Sequence, residues 1–317
     1  MKSIRFSQIG KLNMLLNNET RDFYIVVKGP KGVGKSTMID TCLKGKKGVV
    51  RVTISPDTKE DDVVSICEKA IIGGAGWKVM DQAANFNRVL FWYHLFFRGQ
   101  FPIVVMTTSE RALGKQPAEL TGAVRRLSRL GINVVVDASP NSLPPDLLTT
   151  TRQHVIYVEE LSRDDIRSLP QLHQLFAVLD EERLSDVVLD LLGGIPSLYL
   201  NLDSELKSRD ETVNDAVTKF LLDLLNSVAK DAISLCTVTP KFKEVLTLLK
   251  DCDQIDVTEL ENRGLELPSP CKILRQTVTT ELVVQPTSPM VALYFKHDSS
   301  YKKAREAMLQ LIKTARG

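Results

Sequence analysis

Hydrophobic and polar positions change their pattern near the middle of the chain. In the first half, short apolar runs without polar alternation are separated by segments whose apolar residues recur at helical spacing. The apolar runs predict strands at 22–28, 49–55, 101–108, 132–137 and 154–159. The segments between them predict a leading helix at 8–17 and further helices at 35–44, 58–72, 81–98 and 118–130, with a flexible break at 73–76. Apolar strands separated by helices are typical of a parallel sheet covered on both faces.

The second half of the chain has a mostly helical pattern. Helices are predicted at 164–179, 181–192 and 212–235, followed by two more helices from residue 240, β-like runs at 271–277 and 280–285, and a last helix at 299–314. The helix–helix–hairpin order resembles a winged helix. We therefore expect a core with the parallel sheet at 1–160, a helical lid at 161–235 and a winged-helix-like domain at 236–317.

The first strand runs directly into a phosphate-binding motif. Gly29–Ser36 reads G-x-x-x-x-G-K-S and lies between a predicted strand and a predicted helix, which is the context that this motif requires. Glycines allow backbone N–H groups to close around phosphate oxygens, and the helix N-terminus favours an anion. Lys35 is expected to contact the β- and γ-phosphates, and the Ser36 hydroxyl is expected to bind Mg²⁺. The expected nucleotide contacts are Gly29, Pro30, Lys31, Gly32, Val33, Gly34, Lys35, Ser36 and Thr37.

Composition narrows the class of protein. The chain has 317 residues, 43% hydrophobic and 25% charged, as is ordinary for a globular protein of two or three domains. A net charge of +2 provides no global field toward nucleic acid or an anionic membrane. The five cysteines and four histidines are scattered, without the spacing of a zinc site or a disulfide framework.

The expected compartment is the cytosol or the nucleus. The first residues lack the apolar core of a secretory signal, although secretion as a fragment of an effector stays open. The most hydrophobic stretch, 89–97, is too short to span a bilayer and contains His94. We expect no membrane partner.

Hydrolysis would need an acid near Mg²⁺ and a group that orients the attacking water. If one strand separates the loop strand from the acid-bearing strand, the acid should follow Met106, where Thr107 and Thr108 stand and Glu110 comes two residues later. Asp137 ends the fourth strand, which would then lie beside the loop strand. It could hold the magnesium water shell or sense the γ-phosphate. Each acid also has a structural interpretation, Glu110 as a helix-start residue and Asp137 as a turn residue.

Three further positions are candidates for contacts with the nucleotide. Ser139 follows the fourth strand and could contact the γ-phosphate. Arg152 precedes the fifth strand, where an arginine could stabilise transition-state charge on its own nucleotide or on that of a neighbouring chain; the alternative is a surface arginine. Residues 193–196, Gly-Gly-Ile-Pro, are either a helix terminator with a turn or a lid loop that touches the nucleotide.

These landmarks, taken in order, resemble the AAA+/STAND branch of P-loop ATPases. Within it, the chain is similar to archaeal-type ATPases and to the ATPase modules of Crinkler and retrotransposon-hot-spot effector proteins, over roughly residues 5–235. The resemblance implies ATP and Mg²⁺ as cofactors. It also implies phosphate and metal contacts from Lys35 and Ser36, the second acidic motif at 103–110, the first sensor at 137–139, an arginine finger at Arg152 and a lid contact at Pro196. The sequence departs from the family at Thr107 and Thr108, which replace the paired acids.

Three functions follow from this sequence. The first is an ATP-binding switch with slow or conditional hydrolysis, and the second is a pseudo-ATPase scaffold that binds ATP without turnover. The third is nucleic-acid binding by the C-terminal domain, whose last helix has basic residues interrupted by Glu306; a solvated amphipathic helix is the alternative. These basic residues are Lys302, Lys303, Arg305, Lys313 and Arg316. Self-association is plausible, since an arginine acting on a neighbour requires one, and the identity of a protein partner stays open.

Overall fold

The fold was determined from a computed structural model of the chain. It describes residues 6–17, 23–54, 58–74, 90–91, 94–95, 102–108, 117–138, 152–208, 211–252, 254–265, 274–278, 282–286, 288–297 and 299–316. Internal contacts divide the chain into two compact units. The sheet unit contains Arg5–Gly29 and Gly34–Val158, and the helical unit contains Pro30–Val33 and Glu159–Gly317.

The sheet unit alternates strands and helices. Its elements are α1 (Phe6–Asn17), β1 (Tyr24–Lys28), α2 (Lys35–Leu43), β2 (Val49–Ile54), α3 (Glu60–Gly74), β3 (Ile103–Thr108), α4 (Pro117–Arg129), β4 (Asn133–Ala138) and β5 (Gln153–Tyr157). The five strands are parallel and lie in the order β2-β3-β4-β1-β5. The predicted α/β P-loop fold with a parallel sheet is confirmed.

The strand order determines which residues lie next to the loop strand. β4 separates β1 from β3, with Val27 of β1 aligned with Asp137 of β4. On the other side of β1, Lys28 is aligned with Tyr157 of β5. One strand therefore separates the loop strand from the third strand, which is the condition under which an acid was expected after Met106.

The central strands are apolar because helices cover both faces of the sheet. Val26, Val104 and Val136 have no solvent exposure, and Val124 and Leu127 of α4 are equally buried. Burying a side chain of this size stabilises a fold by about 1.5–3 kcal/mol. The edge strand β2 differs, because its exposed and buried residues alternate.

Two segments of the sheet unit bear on the helices predicted around residues 58–98. Gly73 and Gly74 continue α3, so the flexible break predicted at 73–76 is wrong at its first two positions; a glycine weakens a helix but does not end it. The helix predicted at 81–98 lies mostly outside the described residues. Leu90, Phe91, His94 and Leu95 within it are helical.

The helical unit begins after β5. Its elements are α5 (Arg163–Arg167), a 3₁₀ turn (Pro170–Leu172), α6 (His173–Glu181), α7 (Ser185–Leu192), α8 (Pro196–Ser208), α9 (Val213–Val238), α10 (Phe242–Asp251), β6 (Ile255–Asp256), α11 (Val257–Asn262), β7 (Leu274–Val278), β8 (Leu282–Pro286), α12 (Pro289–Lys296) and α13 (Tyr301–Arg316). Its apolar core includes Leu172, Leu192, Tyr199, Leu221 and Phe242, all with no solvent exposure.

Two helices predicted in this unit are broken or shortened. The single helix predicted at 164–179 is divided into α5, a 3₁₀ turn and α6, because Pro170 lacks the N–H that a continuous helix requires. The helix predicted from residue 181 begins only at Ser185. Arg183 has φ 56°, in the left-handed region, and this conformation interrupts the helix after α6.

The longest helix agrees with its prediction. α9 begins after Thr212, whose hydroxyl oxygen accepts a hydrogen bond from the backbone N–H of Asp215. That contact is an N-cap, and it satisfies one of the donors that a helix start leaves open. The buried stripe of Val217, Leu221 and Leu225 faces the core of the helical unit.

The C-terminal region has the predicted winged-helix-like arrangement. β7 and β8 form an antiparallel hairpin, and β6 adds to β8 to give the order β6-β8-β7. The last helix, α13, buries Ala304, Met308 and Ile312. Among the helices described for this chain, none combines the length and the apolar character needed to cross a bilayer.

Candidate nucleotide-binding site

The phosphate-binding motif connects β1 to α2 with two glycines in the left-handed region. Gly32 has φ 78° and Gly34 has φ 97°. Gly34 is the N-cap residue of α2 and has no side chain, so no side-chain cap engages the first N–H groups of the helix. The helix N-terminus can therefore direct backbone donors and its positive dipole end toward an anion.

Lys35 is folded toward the start of the same loop. Its side chain is buried, and Nζ donates a hydrogen bond to the carbonyl oxygen of Gly29 at 2.8 Å. A phosphate oxygen would compete with this neutral carbonyl for the ammonium group. Hydrogen bonds between two charged groups are shorter and stronger than those to a neutral acceptor, so the phosphate contact is the favoured one.

The two predicted metal-binding residues lie together. The Ser36 hydroxyl donates a hydrogen bond to Oδ2 of Asp137 at 2.7 Å. Ser36 is exposed at the start of α2, whereas Asp137 on β4 is only 6% exposed. A hydroxyl and a carboxylate are the oxygen ligands that Mg²⁺ prefers, so this pair fits a magnesium ion bound together with phosphate oxygens. The metal-binding role of each residue stays a prediction.

The third strand has a hydroxyl where the resemblance implies acids. Thr107 is exposed and aligned with Asp137 in the neighbouring strand. Glu110 and Ser139, the other predicted contacts near these strand ends, lie outside the described residues. Within the described part of the sheet unit, Asp137 is the acid that reaches Ser36.

Arg152 is not brought to the loop of its own chain. Its carbonyl oxygen accepts a hydrogen bond from the N–H of Tyr24, the first residue of β1, at 3.1 Å. The loop follows the last residue, Lys28, and parallel strands rise about 3.3 Å per residue. Arg152 thus lies at the amino ends of the strands, whereas the loop lies at their carboxyl ends. Its side chain is exposed. Its role on a neighbouring chain's nucleotide stays a prediction.

Within the helical unit, part of the loop contacts the start of α8. The N–H of Ser197 donates to the carbonyl oxygen of Gly32 at 3.3 Å. A Cβ added to Gly32 would overlap Ser197 Oγ and lie 2.8 Å from Ser197 Cβ and 3.2 Å from Ile195 Cγ2. Pro196, the predicted lid contact, is the first residue of α8 and lies between these two neighbours of the loop.

Sequence reasoning did not identify Ser197 and Ile195, because it treated residues 193–196 either as a helix terminator with a turn or as a lid loop and did not predict that a helix begins at Pro196. Proline is favoured at the first position of a helix, since the N–H it lacks has no partner there. That preference was the available signal that a helix begins at Pro196, although it does not identify the contact with Gly32.

The segment before α8 is held from within the helical unit. The Tyr199 hydroxyl donates a hydrogen bond to the carbonyl oxygen of Gly193 at 2.7 Å. The N–H of Leu161 donates a hydrogen bond to the carbonyl oxygen of Gly194 at 2.9 Å. Burial raises the pKa of Tyr199, with a smaller lowering by Arg163 and a smaller raising by Glu160. The phenol therefore stays protonated and able to donate.

One more charged group adjoins the loop. Lys28 is the last residue of β1, and burial lowers its pKa because desolvation disfavours the ammonium form. Its backbone carbonyl accepts a hydrogen bond from the N–H of Val158 at 2.7 Å. This bond fixes the strand end from which the loop departs.

Comparison with known proteins identifies the fold. No family model matches the chain, and no curated protein matches it. The structure of the Aeropyrum pernix ORC2 protein in ADPNP–ADP complexes is 12% identical, with a TM-score of 0.50 over 98% of this chain and 94% of that one. The ADP form of the same protein is 11% identical, with a TM-score of 0.47 over 99% and 95%. Cdc6p from Pyrobaculum aerophilum is 14% identical, with a TM-score of 0.43 over 98% and 96%. The likeness to the first of these structures shows a shared fold.

Proposed function

We propose that the chain is an ATP-binding P-loop protein of the AAA+ class that hydrolyses ATP slowly or conditionally with Mg²⁺ and acts as a nucleotide-controlled switch. The observation on which this depends is the contact between Ser36 and Asp137, 2.7 Å, directly after a complete phosphate-binding motif. The fold shared with a protein solved in ADPNP–ADP complexes is consistent with an adenine nucleotide.

Each residue has a distinct task in this proposal. Backbone N–H groups of the loop bind phosphate oxygens, and Lys35 exchanges the Gly29 carbonyl for the β- and γ-phosphates. A bound magnesium ion would neutralise charge on those phosphates. Asp137 accepts a hydrogen bond from the Ser36 hydroxyl, which would leave the serine lone pairs available to a bound cation and the second carboxylate oxygen available to a water molecule. In hydrolysis, the oxygen of a water molecule would bond to the γ-phosphorus, ADP would leave with the bridging oxygen, and the proton lost by the water would pass to a phosphate oxygen or to solvent.

The switch rests on the contact between Gly32 and Ser197 in the helical unit. The N–H of Ser197 is in the first turn of α8 and donates to the Gly32 carbonyl oxygen. If phosphate binding moved this carbonyl, the hydrogen bond to α8 would lengthen or break. A ligand shifts a conformational equilibrium only by its differential affinity for the two states. Gly32 therefore gives the nucleotide a means of acting on α8.

Binding of ATP can be tested with a matched pair of lysine variants. Lys35→Ala removes the buried ammonium, whereas Lys44→Ala removes an exposed lysine at the end of α2. Isothermal titration with Mg–ATP should give wild-type affinity for Lys44→Ala and about 10- to 100-fold weaker binding for Lys35→Ala, the loss expected for a charged hydrogen-bond donor. Wild-type affinity in Lys35→Ala would overturn the proposal.

The alternative function is a pseudo-ATPase, which is favoured by the threonine at position 107 where the resemblance implies an acid. This alternative predicts ATP binding without phosphate release, unchanged in Asp137→Asn. A phosphate-release rate that falls in Asp137→Asn supports the ATPase instead, since only turnover depends on that carboxylate in this way.

A second candidate function is nucleic-acid binding by α13. Lys302, Lys303 and Arg305 are exposed on this helix, while Ala304 and Met308 are buried beneath them. A phosphate contact by each cation would make affinity for duplex DNA fall steeply with salt. Substituting all three by alanine should then reduce the slope of log affinity against log salt by about three. An unchanged slope would leave α13 a solvated amphipathic helix.

A further inference from the structure

A row of polar side chains crosses the sheet near the carboxyl ends of three neighbouring strands. Thr53 of β2 is aligned with Thr107 of β3, and Thr107 is aligned with Asp137 of β4. Aligned residues of neighbouring strands have their side chains on the same face of the sheet. The next residue in the row, Val27 of β1, is apolar and has no solvent exposure. The carboxylate therefore stands beside the loop strand, and the two hydroxyls follow on its far side.

Thr107 is the member of this row that is both exposed and next to the carboxylate. Val105 lies two residues earlier on the same face and has no solvent exposure, so the sheet opens to solvent at Thr107. Neighbouring strands are about 4.8 Å apart, which places the Thr107 side chain beside that of Asp137. Asp137 itself is 6% exposed. One water molecule can bridge a hydroxyl and a carboxylate at this spacing.

The bridging position lies on the side of Asp137 that faces away from the loop strand. Ser36 follows the phosphate-binding loop of β1 and donates to Oδ2 of Asp137, whereas Thr107 approaches Asp137 from β3. Ligands of parallel α/β sheets bind outside the carboxyl ends of the strands. In-line attack on a γ-phosphate requires a water molecule opposite the departing ADP. With ADP bound at the loop after β1, water on the β3 side of Asp137 meets this requirement.

We propose that the Thr107 hydroxyl, together with the Asp137 carboxylate, orients the water that attacks the γ-phosphorus, and that a hydroxyl in place of an acid at this position keeps turnover slow. Each of the two groups accepts one hydrogen of the water, so a lone pair of the water oxygen is directed at phosphorus. The role of Thr107 rests on the proposed function and adds a residue that contacts the second substrate.

The slow turnover follows from proton transfer. As the water oxygen bonds to phosphorus, the bond from phosphorus to the bridging oxygen breaks and its electron pair leaves with ADP. The water must also lose a proton, which a threonine hydroxyl does not take up near pH 7. Asp137 already accepts a hydrogen bond from Ser36. The proton therefore passes to a phosphate oxygen or to solvent, and no acid at position 107 assists its departure.

The test compares Thr107→Val, Thr107→Ser and Thr53→Val in the full chain. Valine has the shape of threonine without its hydroxyl, and Thr53 is an exposed threonine of the same row, one strand further from Asp137. In Thr107→Val, we expect phosphate release at saturating ATP to fall about 3- to 10-fold, the loss of one neutral hydrogen bond. The affinity for ATP should stay within about twofold of wild type, since the contact is made to the attacking water. Thr107→Ser and Thr53→Val should keep the wild-type rate.

A second readout does not depend on turnover. ADP with aluminium fluoride imitates the phosphoryl group in flight, with the attacking water in place, and therefore reports contacts of the transition state. Isothermal titration should show about 3- to 10-fold weaker binding of this complex in Thr107→Val than in the wild type, with ADP alone bound equally. Equal weakening of both ligands would reveal a merely structural effect of valine and overturn the role of the hydroxyl.

Thr107→Asp tests the second part of the proposal. A carboxylate at this position can take up the proton of the water, so phosphate release should be at least about tenfold faster than in the wild type. An unchanged rate would show that the hydroxyl does not limit turnover.

The outcomes separate the role of Thr107 from the function on which it rests. Equal phosphate release by an active wild type, Thr107→Val and Thr53→Val would overturn the role of Thr107 and leave the ATPase intact. If the wild type binds ATP without releasing phosphate, hydrolysis as proposed fails. Release gained in Thr107→Asp would then still support the position of residue 107 beside the attacked phosphate, and no release would overturn it. Failure to bind ATP would overturn both.

Discussion

The hydroxyl of Ser36 donates to Oδ2 of Asp137 at 2.7 Å, although 101 positions separate the two residues in the sequence. The contact is possible because β4 lies directly beside β1 and aligns Asp137 with Val27. An acid after β3 would have to reach across one more strand, about 4.8 Å further. Among the residues that the structure describes, the carboxylate that contacts Ser36 is therefore supplied by the adjacent strand.

We predict that Asp137→Asn reduces Mg²⁺-dependent phosphate release by at least about 100-fold, the typical effect of removing a residue that activates water or positions a metal. An amide has the shape of the carboxylate but not its charge, so the variant should fold. Its ATP affinity should lose most of its dependence on Mg²⁺. A phosphate-release assay with and without EDTA measures both effects.

The matched control for this prediction is Asp61→Asn. Asp61 is on α3, its side chain is 91% exposed, and it pairs with Arg126 at 3.0 Å on the surface. Surface ion pairs contribute little to stability, so this variant should keep wild-type turnover. If Asp137→Asn and Asp61→Asn release phosphate equally fast, Asp137 has no role in hydrolysis.

We predict that Gly32→Ala weakens ATP binding at least tenfold, whereas Gly45→Ala does not. Both glycines are in the left-handed region, with φ 78° and 82°. An alanine there costs about 1–2 kcal/mol of backbone strain at either position. Only at Gly32 does the new methyl group also meet Ser197 and Ile195, because nothing lies within 4 Å of a Cβ at Gly45.

The pair therefore separates strain from the contact with α8. The thermal unfolding temperature should fall moderately for Gly45→Ala and further for Gly32→Ala. In titrations with ATP, only Gly32→Ala should lose affinity. Double substitution with Ser197→Gly should restore part of the ATP affinity of Gly32→Ala, since it removes the overlapping atoms. Equal ATP affinities for Gly32→Ala and Gly45→Ala would contradict the prediction.

The sheet could be predicted from the sequence because its strands are locally encoded. β1, β3 and β4 are runs of apolar residues, and the helices between them have helical spacing. The phosphate-binding motif is also local, since its eight positions are consecutive. The breaks at Pro170 and Arg183 were harder, because a short helical segment that continues an apolar stripe has the same periodicity as an unbroken helix.

The contacts of the site are the part that sequence could not supply. Asp137 was one of two candidate acids, and the register of β4 against β1 brings it to Ser36. The contact of Gly32 with Ser197 depends on tertiary packing as well. Residue type predicts which groups can bind a ligand, but distance between them follows from strand order and packing.

We predict that Tyr199→Phe lowers the free energy of unfolding by about 1–3 kcal/mol, the cost of removing one partner of a buried hydrogen bond. The hydroxyl is the donor to the Gly193 carbonyl, 2.7 Å away, and the ring is fully buried. Urea unfolding measures the difference. Tyr301→Phe, at a tyrosine 37% exposed, is the control and should change stability by less than about 0.5 kcal/mol.

Tyr199 should also make stability depend on alkaline pH. Burial raises its pKa above the ordinary tyrosine value of 10.0, so the unfolded chain loses this proton at a lower pH than the folded chain. The stabilisation is complete below pH about 10 and is lost as pH rises through the folded pKa. Lys28 has the opposite effect on the pH dependence of stability in this range, because burial lowers the pKa of Lys28 in the folded chain. Urea unfolding at pH 9 and pH 11 should show a smaller loss in Tyr199→Phe than in the wild type, and an equal loss would contradict the assignment.

Cysteine reactivity should separate the core of the sheet unit from the surface of the helical unit. Cys67 has no solvent exposure, and burial, with a smaller effect of Glu68, raises its pKa to about 12. Cys252 is exposed at the end of α10. Because the thiolate is the reactive form, iodoacetamide at pH 8 should modify Cys252 first and leave Cys67 unmodified until the chain unfolds. Peptide mass mapping after short and long exposure, with and without urea, measures the order. Modification of Cys67 in the native chain as fast as Cys252 would contradict the packing of α3 against the sheet.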